Sequence, residues 1–464
     1  MHILNSMSRG RWGIGAVTLA LLVSHGSPSL GARGDITLVG QIKPVGSDQF
    51  CQIWGFERDG RAYAVIGDWD SGPVIIDVTD PTNPFVRKVI TGTGVFGFDV
   101  KVWGNYIYCC EGGFGHAGSS SRAIDITNMD LPIISAAFTN AHAFSVHPAG
   151  YLFAEIPGLR CYDLNADPTP TAHLWWDGTT GGHDSTVDVE RNRLYDFHGT
   201  SGTFLWDITN INSRVLLGSI TDPTIHYNHS GDATEDGNYL YLCDELALGA
   251  EQDCSVWFIG DPLTPLRMTN GLIDFTSTIH NLYIIGNFAF VSHYSAGFRV
   301  YDVSNPTAPL VLDTYDTAPL RTGDGYEGCY GVYPWGPGGI IYASDSDNGL
   351  FLFSVEDFAG TPTGVGDPPS RPGSARLLGN YPNPFNPSTT IAYEIERTTD
   401  ITLAIYDTKG SLVRVVARGR TPEGRHEIGW DGVDAGGGRV ASGVYFVRLS
   451  ADGGTDTARL VLLK

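Results

Sequence analysis

The chain has 464 residues, more than one compact domain holds, and its 59 glycines and 26 prolines point to short elements joined by many tight turns, an all-β habit. Its 51 acidic residues against 29 basic ones give a formal charge of −22, which excludes nucleic acid and anionic membrane surfaces as principal partners.

At the N-terminus Arg9 and Arg11 precede an apolar run over 14–23 and a small, polar stretch over 24–32. This is the pattern of a secretory signal peptide, so residues 1–32 are set aside from the fold. The run is about half the length a membrane-spanning helix needs, and no later segment is apolar enough to cross. Export permits disulfides, although seven cysteines are an odd number. Cys243 and Cys254 flank one hairpin loop and are the best candidate pair. Cys51 and Cys329 open the first and last repeats and are candidates to staple a ring shut, while Cys109, Cys110 and Cys161 stay unassigned.

From residue 35 to residue 357 the sequence repeats with a period of roughly 40 to 50 residues, the mark of a propeller or solenoid. Its clearest copies are Pro73-Val-Ile-Ile-Asp-Val-Thr-Asp-Pro-Thr-Asn-Pro84, Phe204-Leu-Trp-Asp-Ile-Thr-Asn210 and Phe298-Arg-Val-Tyr-Asp-Val-Ser-Asn-Pro-Thr-Ala-Pro309, each a strand entering a Pro/Asn turn. Asp77, Asp125, Asp163, Asp207 and Asp302 recur at the ends of these third strands, where a short carboxylate caps the following turn. Second strands fall at 62–67, 106–110, 151–154, 193–197, 239–243, 288–292 and 340–344, which predicts seven blades of four antiparallel strands. The seventh runs into Phe351-Leu-Phe-Ser-Val-Glu-Asp357 without a fourth strand of its own. Ile36-Thr-Leu-Val-Gly-Gln-Ile42, which matches the fourth strand Val215-Leu-Leu-Gly-Ser-Ile220, supplies it and removes the open sheet edges. The expectation is a seven-bladed β-propeller over 35–357, closed by an N-terminal strand.

Residues 358–374, with Asp367-Pro-Pro369 and Arg371-Pro-Gly373, read as an extended Pro/Gly linker. Strands at 389–395, 401–406, 412–417, 425–430, 443–449 and 457–463 then predict an immunoglobulin-like β-sandwich over 375–464.

Two resemblances follow from motifs. Asn380-Tyr-Pro-Asn-Pro-Phe-Asn-Pro387, Ile405-Tyr-Asp407 with Gly410, Trp430-Asp-Gly432 and Ala441-Ser-Gly-Val-Tyr-Phe446, closing on Lys464, resemble the type IX secretion (Por) sorting domains of flagellar-hook-cap immunoglobulin-like fold. That resemblance implies a tail that engages outer-membrane secretion machinery, leaving the remainder secreted or attached to the bacterial surface. Leu38-Val-Gly-Gln41, Ile53-Trp-Gly-Phe56, Cys243-Asp-Glu245, His280-Asn281, Ser295-Ala-Gly-Phe-Arg-Val-Tyr-Asp302 and Asn348-Gly-Leu-Phe-Leu352 resemble the LVIVD-repeat, choice-of-anchor B proteins. This second resemblance implies an architecture and a location and assigns no activity, so function has to come from the site.

Aligning the blades places Trp54, Phe98, His142, His183, His229, His280 and Tyr330 at the start of the first strands, and Asp68, Glu111, Glu155, His198, Asp244, His293 and Asp345 just past the second. First strands start where second strands finish, so both rows crowd one mouth of the channel, with Asp184, Asn281, Glu245 and Tyr294 beside them. Six of the 13 histidines lie on these rows. One use is structural: His142 with Glu155 and His229 with Asp244 brace the blades as in WD-type propellers. Against it, His183 with His198 and His280 with His293 bring no acid. Imidazoles among carboxylates suit a divalent Zn, Mn or Cu ion, with His142, His183, His198, His229, His280 and His293 as candidate ligands. A metal there leads to a hydrolase or lyase with Glu155, Asp244 or Glu245 as base. Without one, the rings of Trp54, Phe98, Tyr294 and Tyr330, with Asp68, Glu111 and Asp345, cradle a glycan, peptide or other polar ligand. The preferred reading is an exported ligand-binding or interaction propeller, with or without a metal; the alternative is the metal-dependent hydrolase or lyase. Gly112-Gly-Phe-Gly-His-Ala-Gly118 precedes no helix and reads as a loop at the same mouth, not as a phosphate cradle.

Overall fold

The computed structural model of the chain describes residues 34–46, 49–69, 71–94, 97–112, 120–155, 158–179, 181–246, 254–272, 277–323, 325–358, 375–381, 385–395, 398–407, 412–451 and 454–462. The expected signal peptide, nearly all of the 358–374 linker and most of the Gly-rich loop lie outside the described residues.

Among the described residues, seven four-stranded antiparallel sheets account for the first part of the chain. The middle strands, such as Tyr106–Cys110 and Phe288–Ser292, are nearly unbroken apolar runs because neighbouring blades cover both of their faces. The first strand of each blade lies innermost: Phe50–Arg58, Asp99–Trp103, Phe144–His147, Asp184–Asp188, Asn228–Ala233, Asn281–Ile285 and Cys329–Gly336. Each touches the inner strands on either side, and the seventh meets the first, so the strands enclose a channel. The recurring third-strand aspartates cap their turns. Asp77, Asp125, Asp163, Asp207 and Asp302 accept the backbone N–H two residues on, from Thr79, Thr127, Asn165, Thr209 and Ser304, at 2.7–3.1 Å.

Ring closure runs through the N-terminal strand Ile36–Ile42, which pairs antiparallel with Gly349–Val355 from Ile36 opposite Val355 to Ile42 opposite Leu350. Its match to the outer strand Val215–Ile220 has a steric origin. A Cβ on Gly40 would fall 2.0 Å from the Pro81 carbonyl oxygen, and one on Gly218 would fall 1.7 Å from that of Pro262. Both glycines therefore mark where an outer strand presses on the next blade's turn.

All seven cysteines are buried thiols, so neither expected bridge forms. Cys243 and Cys254 are directly opposed on neighbouring strands, yet they pack as small hydrophobes. Cys51 lies instead against Tyr294 and Tyr330, and burial pushes its thiol far up.

The C-terminal part is an immunoglobulin-like sandwich. Ala375–Tyr381, Thr389–Ile395 and Gly424–Trp430 form one sheet; Thr399–Asp407, Leu412–Thr421, Gly443–Ala451 and Gly454–Leu462 form the other. Ile391, Leu403, Trp430, Val447 and Leu460 fill the space between, and the Trp430 indole N–H is satisfied by the Val433 carbonyl at 3.0 Å.

Candidate functional site

One mouth of the channel is closed by side chains. Phe98, His142, His183, His229, His280 and Tyr330 follow one another around the axis with ring centroids 4.7, 4.2, 4.3, 4.7 and 4.4 Å apart, and Tyr330 returns to Phe98 at 5.9 Å. Six of the seven expected first-row residues thus meet. Trp54 does not: it lies three residues further along the strand, opposite Val65, whereas Phe50 stands opposite Asp68 as Cys329 does opposite Asp345, which gives Cys51 the place that Tyr330 takes in blade seven. Cys51, not Trp54, packs beside Tyr330 and Phe98.

The imidazoles of this mouth are neutral. Burial lowers His142 to about 4 and His280 to about 3, and pushes His183 and His229 well below the ordinary range. The Nδ1 groups of His142 and His280 donate to the carbonyls of Gly112 and Tyr330, which commits them to the backbone. His183 and His229 share a space with Glu245, the donor atoms of all three lying within 4.8 Å of one another. Glu245 Oε2 stands 3.3 Å from His229 Nε2, and Glu245 Oε1 accepts the Tyr294 hydroxyl at 2.6 Å. Burial raises the Glu245 carboxyl to about 7; Tyr294 opposes the rise, and Asp184 and Asp244 add to it.

A second grouping joins Glu155 and His198 with Asp196, and Asp177 faces it. His198 Nε2 is 3.3 Å from Asp196 and 3.6 Å from Asp177. Burial works against charge on His198, but the two carboxylates outweigh it and raise the pKa. Asp177 is held low against its own burial by His198 and Thr179, whereas burial keeps Glu155 well above the carboxylate range. His198 is thus held between acids, a brace between blades.

The remaining second-row residues serve the backbone. Asp68 accepts both the N–H and the hydroxyl of Ser71. Asp244 accepts the N–H groups of His226, Tyr227 and Leu246 at 2.7, 2.9 and 3.2 Å, and Asp345 accepts the Thr317 hydroxyl with the Asp347 and Asn348 N–H groups. His142 meets Glu155 through the main chain, its N–H donating to the Glu155 carbonyl at 2.8 Å. Glu111 is part-buried at the closed mouth, and His293, fully buried, lies outside both groupings.

The opposite end of the channel is open, with a cavity of about 170 Å³. Its walls include Trp54, Tyr283 and Trp335, with Tyr283 4.8 Å and Trp54 6.0 Å from the Trp335 ring, and its rim is the inner hairpin turn carrying Asp188 and Arg191. Lys101 Nζ lies 5.0 Å above the Trp54 ring and donates to Asp99 at 2.7 Å. Across the channel, Gln52 donates to Asn281 at 2.8 Å and Asn281 to Asp184 at 3.1 Å, joining blades one, six and four. Burial raises Asp184 to about 7, with Lys101 opposing the rise. The expectation of a single site at the histidine mouth overlooked this end. Its signal was nonetheless present in Asp99 and Lys101, charged residues at alternate, inward positions of a strand.

Comparison with known proteins bears on the fold alone. No curated protein matches the chain. Among solved structures, the crystal structure of the RRP9 WD40 repeats is similar with a TM-score of 0.47 at 10% identity, over 70% of this chain and 99% of that one. Residues 62–89 and 279–317 match the LVIVD repeat, and residues 386–455 match the FlgD Ig-like domain. The chain is therefore a β-propeller that carries LVIVD repeats, followed by a domain of the FlgD immunoglobulin-like kind.

Proposed function

We propose that the protein is an exported propeller that binds one residue of a glycan in the open end of its channel. The observation that carries this is the asymmetry of the channel: ring contacts seal one mouth, while the other holds a cavity walled by Trp54, Tyr283, Trp335, Lys101 and Asp184. Aromatic faces stack on the apolar face of a sugar, and carboxylates bond its hydroxyls. The cavity, about 170 Å³, is smaller than the roughly 300–1,000 Å³ that encloses drug-sized ligands, which favours a single sugar ring. A peptide presenting one polar side chain is the competing occupant. The basic and apolar N-terminal segment and the motifs around Asn380 and Trp430 support delivery by type IX export to the surface or medium; deleting residues 375–464 should then retain the propeller inside the outer membrane.

Catalysis has less support. Asp244 is engaged by three backbone N–H groups, and Glu155 is fully buried beside His198. A glycan array with the intact protein, followed by titration of the best binder against Trp335→Ala and Asp184→Asn, tests the binding reading. Loss of about ten-fold or more in affinity for folded Trp335→Ala is expected. Undiminished binding by both variants would sink it.

A further inference from the structure

We infer that His183, His229 and Glu245 form a binding site for one divalent transition-metal ion, zinc foremost, at the closed mouth of the channel. Two imidazole nitrogens and one carboxylate oxygen make a donor set that zinc accepts, with a fourth position left for water. The geometry agrees. In a tetrahedral zinc site with bonds of about 2.0–2.1 Å, neighbouring donors are about 3.3 Å apart, and His229 Nε2 and Glu245 Oε2 already stand at 3.3 Å. The other separations, no more than 4.8 Å, need a side-chain adjustment on the order of 1 Å.

The surroundings also fit. Glu245 is held by its other oxygen, through the Tyr294 hydroxyl, which leaves Oε2 directed at the site in the way outer-shell partners orient ligating carboxylates. His142 and His280 stack on the outer sides of His183 and His229 and lie outside the grouping of donor atoms, so they wall the site. Both ligand histidines are buried. The grouping around His198 offers one imidazole among carboxylates, a donor set less suited to zinc than two imidazoles with one carboxylate. The metal site lies at the closed mouth and Trp335 lines only the cavity toward the open end, so Trp335→Ala reads the cavity and Glu245→Gln the metal.

The test uses the full chain, purified without a metal-affinity tag, stripped with chelator and titrated with Zn(II) or Co(II) alone. Elemental analysis should find one ion per folded chain in the wild type and in His198→Ala, with the visible absorption of tetrahedral Co(II). Glu245→Gln, close to isosteric and chosen to preserve folding, and His229→Ala should each lower bound metal about ten-fold or more, and Tyr294→Phe should weaken affinity by about ten-fold. Circular dichroism establishes that each variant is folded. No stoichiometric metal in folded wild type overturns the assignment. So does full occupancy in folded Glu245→Gln and His229→Ala, or loss of metal confined to His198→Ala.

Discussion

His183 and His198 stand at two ends of one hairpin, and each is buried beside carboxylates, yet their chemistry is opposite. His183 packs between two further imidazoles with one carboxyl nearby, and burial strips its charge. His198 has Asp177 and Asp196 within 3.6 Å, and their combined attraction overcomes the same burial. The ratio of acids to imidazoles, more than residue type, decides whether a buried histidine is a brace or a ligand in waiting.

Three measurements bear on that contrast. The largest effect belongs to the brace: His198→Ala leaves two buried carboxylates without their cation and should cost about 3–5 kcal/mol in urea unfolding. Glu245→Gln in metal-free protein should cost under about 1.5 kcal/mol, since the nearly isosteric amide keeps an oxygen to accept the Tyr294 hydroxyl. Equal losses would erase the distinction. Next in size is the response to zinc. At about a hundred times its dissociation constant it should raise the unfolding free energy of the wild type by about 2.7 kcal/mol and that of His229→Ala by about 1.4 kcal/mol or less.

The smallest effect is a pH dependence. Folding raises the His198 pKa, so its stabilisation is present in full below about 6.5 and is lost as pH rises through the elevated folded value. Asp177, Asp196 and Glu155 face it, and Arg214 bears on both aspartates. The stability gap between wild type and His198→Gln should therefore narrow as pH is raised from about 6.5. A widening gap would mean that His198 folds uncharged.

How much of this was legible in the sequence differs by scale. Blade number and ring closure were, because Asp77, Asp207 and Asp302 cap turns within two residues and Gly40 and Gly218 answer one steric demand. The histidine row was also visible, since strand starts align. Its lateral contacts were not: whether His229 meets Asp244 or Glu245 depends on which carboxylate the loop's N–H groups claim, and they claim Asp244. Trp54 was misplaced because the first-row position of blade one belongs to Cys51, which has no ring to mark it, and the nearest ring in the sequence is Trp54, three residues later. Asp177, which completes the brace from outside the described strands, is hidden among turn residues.

The pairing of Ile36–Ile42 with Gly349–Val355 also sets an order in time. Any process that delivers the chain from its N-terminus, translation included, holds the first strand waiting until the last blade has emerged. Contacts so distant in sequence form slowly, and during the wait blade seven presents a bare edge to its neighbours. The N-terminal strand is thus a clasp fastened last by the segment made first, and a chain trimmed of residues 36–42 would carry that adhesive edge permanently.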